Sequence, residues 1–244
     1  MSVTSKPKVT IPVRLELEYM LQQRHLVRDL SWFTIASLSK FDQRQDSDEL
    51  LAWLGLSAPQ VLDEKQLRKR LLQIAHRITH EKVQELALLL GHSVLPPAPG
   101  LIAAWIDTQV TAIQTTVENW LVSVTEEVRR SRLAHAPLSA LTVSLRELQS
   151  QVAGAAERRA SAAILQLNSQ IIEETAKGAG SSHYRWETEQ DDRVRAWHAS
   201  KQGRIYAWDD PPMGGGSHAD DVGAPGSGFG CRCLPVPIQG PGPL

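Results

Sequence analysis

Cysteine is scarce in this chain of 244 residues, which contains two. Two thiols cannot build the disulfide framework of a small secreted protein. They stand two positions apart, at Cys231 and Cys233, where a disulfide between them would be strained. The sequence therefore indicates a reducing compartment such as a cytoplasm.

Long apolar runs are also missing. The longest apolar stretches, such as ELALLLG, are far shorter than the roughly 18 residues that a membrane span needs. The first twenty residues lack the apolar core that follows the basic residues of a signal peptide. We therefore expect a soluble protein that has no membrane partner.

Neither sign of charge dominates the chain, which has 26 lysines and arginines against 27 aspartates and glutamates. A net charge near zero argues against a globally basic nucleic-acid-binding protein, although it leaves room for a local basic patch. The hydrophobic fraction of 42% and the charged fraction of 22% are typical of globular proteins.

Apolar residues recur at helical spacing from residue 14 to about residue 178. Gly91 is a plausible helix end, and LPPAPG at 95–100 and Pro137 interrupt the pattern, because proline removes a backbone donor and fixes φ. The clearest stripe is Ile102, Trp105, Ile106, Val110, Ile113, Val117, Trp120, Leu121, Val124 and Val128. The pattern predicts a mainly α protein, with an arm of little structure at 1–13 and a helical region at 14–178.

The composition changes after the glycine-rich segment KGAGSS at 177–182, since residues 181–244 hold six of the thirteen aromatic residues. We predict a strand in HYRWET and a helix in EQDDRVRAWHAS, which a capping box of Thr188 and Asp191 would begin. Further strands are predicted in RIYAW and CRCLPV, with a long loop between them. Residues 181–244 are thus predicted to form a small C-terminal α+β module with a proline-rich tail.

Several short motifs follow one another in this module. They are YRW-x-T at 184–188, DRVR at 192–195, then a histidine, a glycine, a Pro-Gly pair and CRC at 231–233. In this order they resemble the phage Mu F-like family, whose members are minor head, or head morphogenesis, proteins of tailed double-stranded DNA phages. The resemblance covers about residues 155–236. The motif positions are Trp186, Thr188, Asp192, Arg193, Arg195, His198, Gly203, Cys231, Arg232 and Cys233.

The resemblance implies a structural protein rather than an enzyme. Such a protein associates with the portal protein and with the major capsid or scaffold protein while the procapsid assembles in the host cytoplasm. It then remains in the virion, in the head interior or at the portal vertex. Contact with the packaged double-stranded DNA is a further expectation from this family.

The two cysteines could bind a metal ion. In a strand, residues i and i+2 point to the same face, so Cys231 and Cys233 could share a zinc ion. Tetrahedral zinc prefers thiolate and imidazole ligands, and His198, His218 or His183 could complete the set.

Packing and redox chemistry are the other interpretations of Cys231 and Cys233. Reduced cysteines commonly fill small cores, here against the tryptophans of the module. Arg232 would then point outward, towards solvent or towards an acidic partner such as Asp191 or Asp192. Because the CxxC pairs typical of structural zinc sites are absent, the sequence favours packing and predicts no required cofactor.

Two other functions use the same residues. One is a metal-dependent hydrolase or nuclease built on His198 and the cysteine pair, although no nucleophile or phosphate-binding loop accompanies it. The other is a DNA-binding module acting in packaging or ejection, in which the arginines of 181–244 contact phosphates. Acidic residues outnumber the basic ones there, so the structural role is preferred.

Overall fold

A computed structural model describes residues 8–38, 52, 54–55, 62–213 and 223–239. Over these residues the chain is mainly α with a small three-stranded sheet near its C-terminus, which confirms the predicted fold class. The helices are α1 (Val13–Leu38), α2 (Glu64–Leu90), α3 (Pro99–Leu133), α4 (Leu138–Gly178) and α5 (Ala196–Ala199). The strands are β1 (His183–Glu187), β2 (Ile205–Ala207) and β3 (Leu234–Ile238).

The long helices begin and end where glycine and proline predict. Helix α2 ends directly before Gly91, whose φ of +71° lies in the left-handed region that glycine tolerates. Helix α3 begins at Pro99, where the missing N–H costs nothing, and α4 begins directly after Pro137. Within α3 the predicted apolar stripe is buried, apart from the half-buried Leu121. None of the described helices has an apolar stretch long enough to cross a membrane.

The chain forms two compact units. The first contains Met1–Leu17, Leu72–Trp105 and Ser161–Leu244, and the second contains Glu18–Leu71 and Ile106–Ala160. The first unit thus combines residues of the arm, of the helical region and of the C-terminal module. The division into an arm (1–13), a helical region (14–178) and a C-terminal module (181–244) therefore stays a prediction.

The core of the second unit surrounds Trp120, which is fully buried with Leu30 and Leu145. Its indole Nε1 donates to Thr34 Oγ1 at 3.2 Å, and that hydroxyl donates to the Leu30 carbonyl oxygen. The polar atoms that accompany this large side chain into the core are thus hydrogen-bonded to each other.

The sheet of the first unit is antiparallel with the strand order β2-β1-β3. Tyr184 and Trp186 alternate with exposed or half-buried neighbours along β1 and are themselves buried. Strand β3 is an edge strand, which explains how it accommodates Pro235 and Pro237. The buried face of the sheet packs in one apolar cluster that includes Ile172 and Ala176 of α4 and Leu86 of α2.

The described part of the N-terminal arm, residues 8–12, contains no helix or strand but is packed against the first unit. Val9 is buried in the same apolar cluster. The fully buried Lys82 donates from Nζ to the Thr10 carbonyl oxygen and to Glu85, each at 2.7 Å. Glu85 in turn accepts from the Thr10 backbone N–H at 3.1 Å. These bonds fix the arm to α2.

Three local predictions for residues 181–244 are wrong. The predicted helix at 189–200 is reduced to the four residues of α5, and turns with Gln190 at φ +55° precede it. The capping box is absent, because Thr188 donates its N–H and its hydroxyl to Gln202 Oε1. The predicted strand CRCLPV starts only at Leu234, so both cysteines precede β3.

Candidate functional site

Three of the predicted metal-binding side chains meet in one buried cluster. His198 Nδ1 lies 3.3 Å from Cys231 Sγ and 3.4 Å from Cys233 Sγ. His198 is 4% exposed and each cysteine is 3% exposed. The cluster therefore combines two sulfur atoms and one imidazole nitrogen in a region from which water is largely excluded.

The backbone around CRC places these groups. Cys231 and Cys233 both face inward although they precede β3, and Arg232 between them bonds to Asp191. The predicted pairing of Arg232 with an acidic partner is thereby confirmed. The hydrogen bond and charge of Arg232 hold the pKa of Asp191 below its ordinary value.

Aromatic rings enclose the cluster. Trp186 makes an edge contact with His198 at 5.5 Å between ring centroids, and another with Trp197 at 5.9 Å. Its indole Nε1 is buried without a partner at hydrogen-bonding geometry among the described residues. The predicted packing of the cysteines against the tryptophans is confirmed, since Cys231 and Cys233 share one apolar cluster with Trp186, Trp197 and Trp208.

The two thiols affect each other's ionisation in opposite directions. A hydrogen bond from Cys233 and the interaction with His198 together lower the pKa of Cys231 against the opposing effect of burial. The same hydrogen bond, together with burial, raises the pKa of Cys233. The cluster therefore favours a thiolate at Cys231 while Cys233 keeps its proton.

Gly203, another motif position, forms a β-bulge beside the cluster. Its N–H donates to the Trp186 carbonyl oxygen at 2.8 Å, and the Trp186 N–H donates to the Arg204 carbonyl oxygen at 2.8 Å. Gly203 and Arg204 thus lie opposite the single residue Trp186. Gly203 has φ +73°, the left-handed conformation that the first residue of a G1 bulge requires. This explains why a glycine follows β1 and α5 at this position.

Gly226 of the Pro-Gly pair lies against α4. A Cβ atom built there would lie 2.0 Å from Ser169 Oγ and 3.3 Å from the Leu165 carbonyl oxygen. Its φ is +80°, and its N–H donates to Cys231 Sγ at 3.3 Å. Gln166 Nε2 also holds this loop through the Ser227 carbonyl oxygen at 2.9 Å. No motif or spacing in the sequence indicated that Leu165, Gln166 and Ser169 of α4 contact this loop.

The remaining histidine candidates do not join the cluster within the described residues. His183 lies on β1, where its Nδ1 is 2.8 Å from Ser182 Oγ. His218 lies outside the described residues, and its role stays a prediction.

Three of the arginines proposed for DNA contact have partners within the protein. Arg232 bonds to Asp191, and Arg193 lies 3.6 Å from the same carboxylate. Arg195 donates to the Phe229 carbonyl oxygen at 2.7 Å. Asp192 is exposed. The motif arginines thus support the fold of the module directly.

Residues 123–236 match the family model described as Phage Mu protein F like protein. The match includes all ten motif positions, so the predicted resemblance is confirmed, and these residues form a Phage Mu F-like region. The family is one of phage head morphogenesis proteins.

One curated relative is an uncharacterised protein of Haemophilus influenzae, which is 33% identical over 72 residues. The alignment covers 30% of this chain and 14% of the relative, so the chain spans a small part of that protein's length. No solved structure matches the chain.

Proposed function

We propose that this protein is a minor head protein that acts as a structural component in phage head assembly. It associates with the portal protein and with the major capsid or scaffold protein, and it stays in the virion, in the head interior or at the portal vertex. The observation that carries this proposal is the match of residues 123–236 to the Phage Mu F-like family model.

The parts played by the motif residues support a structural role. Trp186 is a core residue, Gly203 forms a bulge, and Arg232 and Arg195 bond to other parts of the same unit. A hydrolase built on His198 would need substrate to reach a side chain that is 4% exposed. We therefore propose the structural role in preference to the hydrolase or nuclease.

A deletion in a phage or inducible prophage that carries the gene tests this function. Mass spectrometry of purified wild-type heads should detect the protein, and deletion heads should be fewer or less infectious. Wild-type protein supplied in trans should restore them. Normal yields of infectious deletion particles, with no protein in wild-type particles, would overturn the proposal.

Two point variants refine this test. Trp186→Ala removes a fully buried ring from the module and should abolish incorporation into heads. Glu189→Ala changes an exposed residue of the same segment and should leave incorporation unchanged. Co-expression with the portal protein should recover a complex for the wild type and for Glu189→Ala, but not for Trp186→Ala.

A further inference from the structure

We infer that His198, Cys231 and Cys233 form a zinc-binding site. The distances fit one ion. Zinc binds thiolate at about 2.3 Å and imidazole nitrogen at about 2.0–2.1 Å, so sulfur and nitrogen ligands of a tetrahedral ion lie about 3.5 Å apart. The observed separations between nitrogen and sulfur are 3.3 Å and 3.4 Å, and the three ligand atoms lie within 4.8 Å of one another.

Packing alone does not account for this arrangement. A small apolar core needs the two thiols buried, but it does not need an imidazole nitrogen near both sulfurs. A disulfide between residues two apart would be strained, and both cysteines are free. Two thiolates and an imidazole form a soft donor set that suits zinc better than magnesium or calcium.

The surroundings supply the support that metal ligands usually have. The Gly226 N–H donates to Cys231 Sγ at 3.3 Å, which fixes the sulfur and stabilises its negative charge. Trp186 lies in the same buried apolar cluster as Cys231 and Cys233. Trp186 also holds the plane of the His198 ring by its edge contact.

The binding chemistry follows from these atoms. Both cysteines bind as thiolates, so a thiol that still carries its proton releases it to solvent when zinc binds. His198 binds through the lone pair of Nδ1, and its proton then lies on Nε2. Among the described residues the cluster offers three ligands, which leaves one tetrahedral position for water or another ligand.

The ion would join α5 to the segment that precedes β3. A module of this size has little apolar core of its own, so a metal bond between distant segments adds stability that burial does not supply. The site does not depend on the proposed role in head assembly.

Elemental analysis of the purified full-length chain tests the site. We expect about one zinc ion per chain, lost together with thermal stability after treatment with a strong chelator. Titration of the metal-free wild type with Co²⁺ should produce a thiolate-to-cobalt charge-transfer band and the visible absorption of a tetrahedral ion. Neither measurement requires a variant to fold.

Variants identify the ligands. His198→Ala and Cys233→Ser should each reduce bound zinc well below one equivalent and remove or shift the cobalt bands. His183→Ala is the matched control, since it removes a histidine of the same compact unit that lies outside the cluster, and it should retain the full equivalent.

Three outcomes would overturn the inference. The first is a wild type without zinc whose metal-free form gives no cobalt–thiolate band. The second is a bound ion that His198→Ala and Cys233→Ser retain. The third is a different metal at the same stoichiometry, which would exclude zinc as the natural occupant.

Discussion

Replacing Gly226 with alanine tests the close approach of the C-terminal loop to α4. The new Cβ would lie 2.0 Å from Ser169 Oγ, 2.9 Å from Ser169 Cβ and 3.3 Å from the Leu165 carbonyl oxygen. The hydroxyl can rotate away, but the Cβ and the carbonyl oxygen belong to the rigid part of the helix. The loop must therefore move away from α4 and shift the N–H that Gly226 donates to Cys231.

The expected cost has two parts. An alanine at φ +80° costs roughly 1–2 kcal/mol relative to ordinary backbone conformations. Overpacking against α4 adds roughly 1–3 kcal/mol. The free energy of unfolding should thus fall by about 2–5 kcal/mol. Gly203→Ala is the matched control: its φ is +73° but nothing lies within 4 Å of its Cβ position, so it should cost roughly 1–2 kcal/mol.

Thermal unfolding of the full-length chain, followed by tryptophan fluorescence, measures the difference. For a chain of this size each kcal/mol lowers the midpoint by about 2–4 °C, so Gly226→Ala should fall clearly further than Gly203→Ala. A double-mutant cycle with Ser169→Gly tests the contact directly. After the cost of Ser169→Gly alone is subtracted, the double variant should regain part of the stability that Gly226→Ala loses. Equal losses in the two alanine variants, or no recovery in the cycle, would refute the close approach.

Two further predictions concern charged side chains. Lys82→Met should lower the free energy of unfolding by roughly 1–3 kcal/mol, because it removes the buried donor that bonds to Glu85 and to the Thr10 carbonyl oxygen of the N-terminal arm. Faster protease cleavage of the arm should accompany this loss, and an unchanged stability and cleavage rate would contradict it. Arg232 lowers the pKa of Asp191 in the folded chain, so this pair stabilises the fold above the ordinary carboxyl pKa of 3.8 and loses its effect as the pH falls through the lowered value. Thermal midpoints measured across the acid range should therefore show a deficit for Asp191→Asn at neutral pH that disappears in strong acid. Asp192→Asn changes an exposed neighbour and is the control, which should show no deficit at neutral pH.

The helical part of the fold was predictable because its signals are local. The apolar stripe of α3 repeats at the helical period over ten positions, and all but Leu121 are buried. Gly91 and Pro137 act on the backbone at their own positions, so their effect is readable without tertiary information.

The site was predictable only in part, because its contacts join distant positions. The i, i+2 argument placed Cys231 and Cys233 on one side correctly, although the strand on which it relied begins later. The contact of His198 with both sulfurs joins residues more than thirty positions apart, which no periodicity reports. The close approach of Gly226 to Ser169 depends likewise on how the loop meets α4.

The packing of the N-terminal arm has a consequence for the order in which the chain can fold during synthesis. Val9 and Leu86 share one apolar cluster with Cys231 and Leu234, which follow Val9 by more than 200 positions. All residues of the second unit precede residue 161, so that unit can pack while the ribosome is still adding the last third of the chain. Val9 of the arm and Leu86 of α2 cannot complete their apolar cluster until the segment around CRC has been synthesised, and their side chains stay exposed until then. Any pause or chaperone contact in that interval acts on the first unit and leaves the second unaffected.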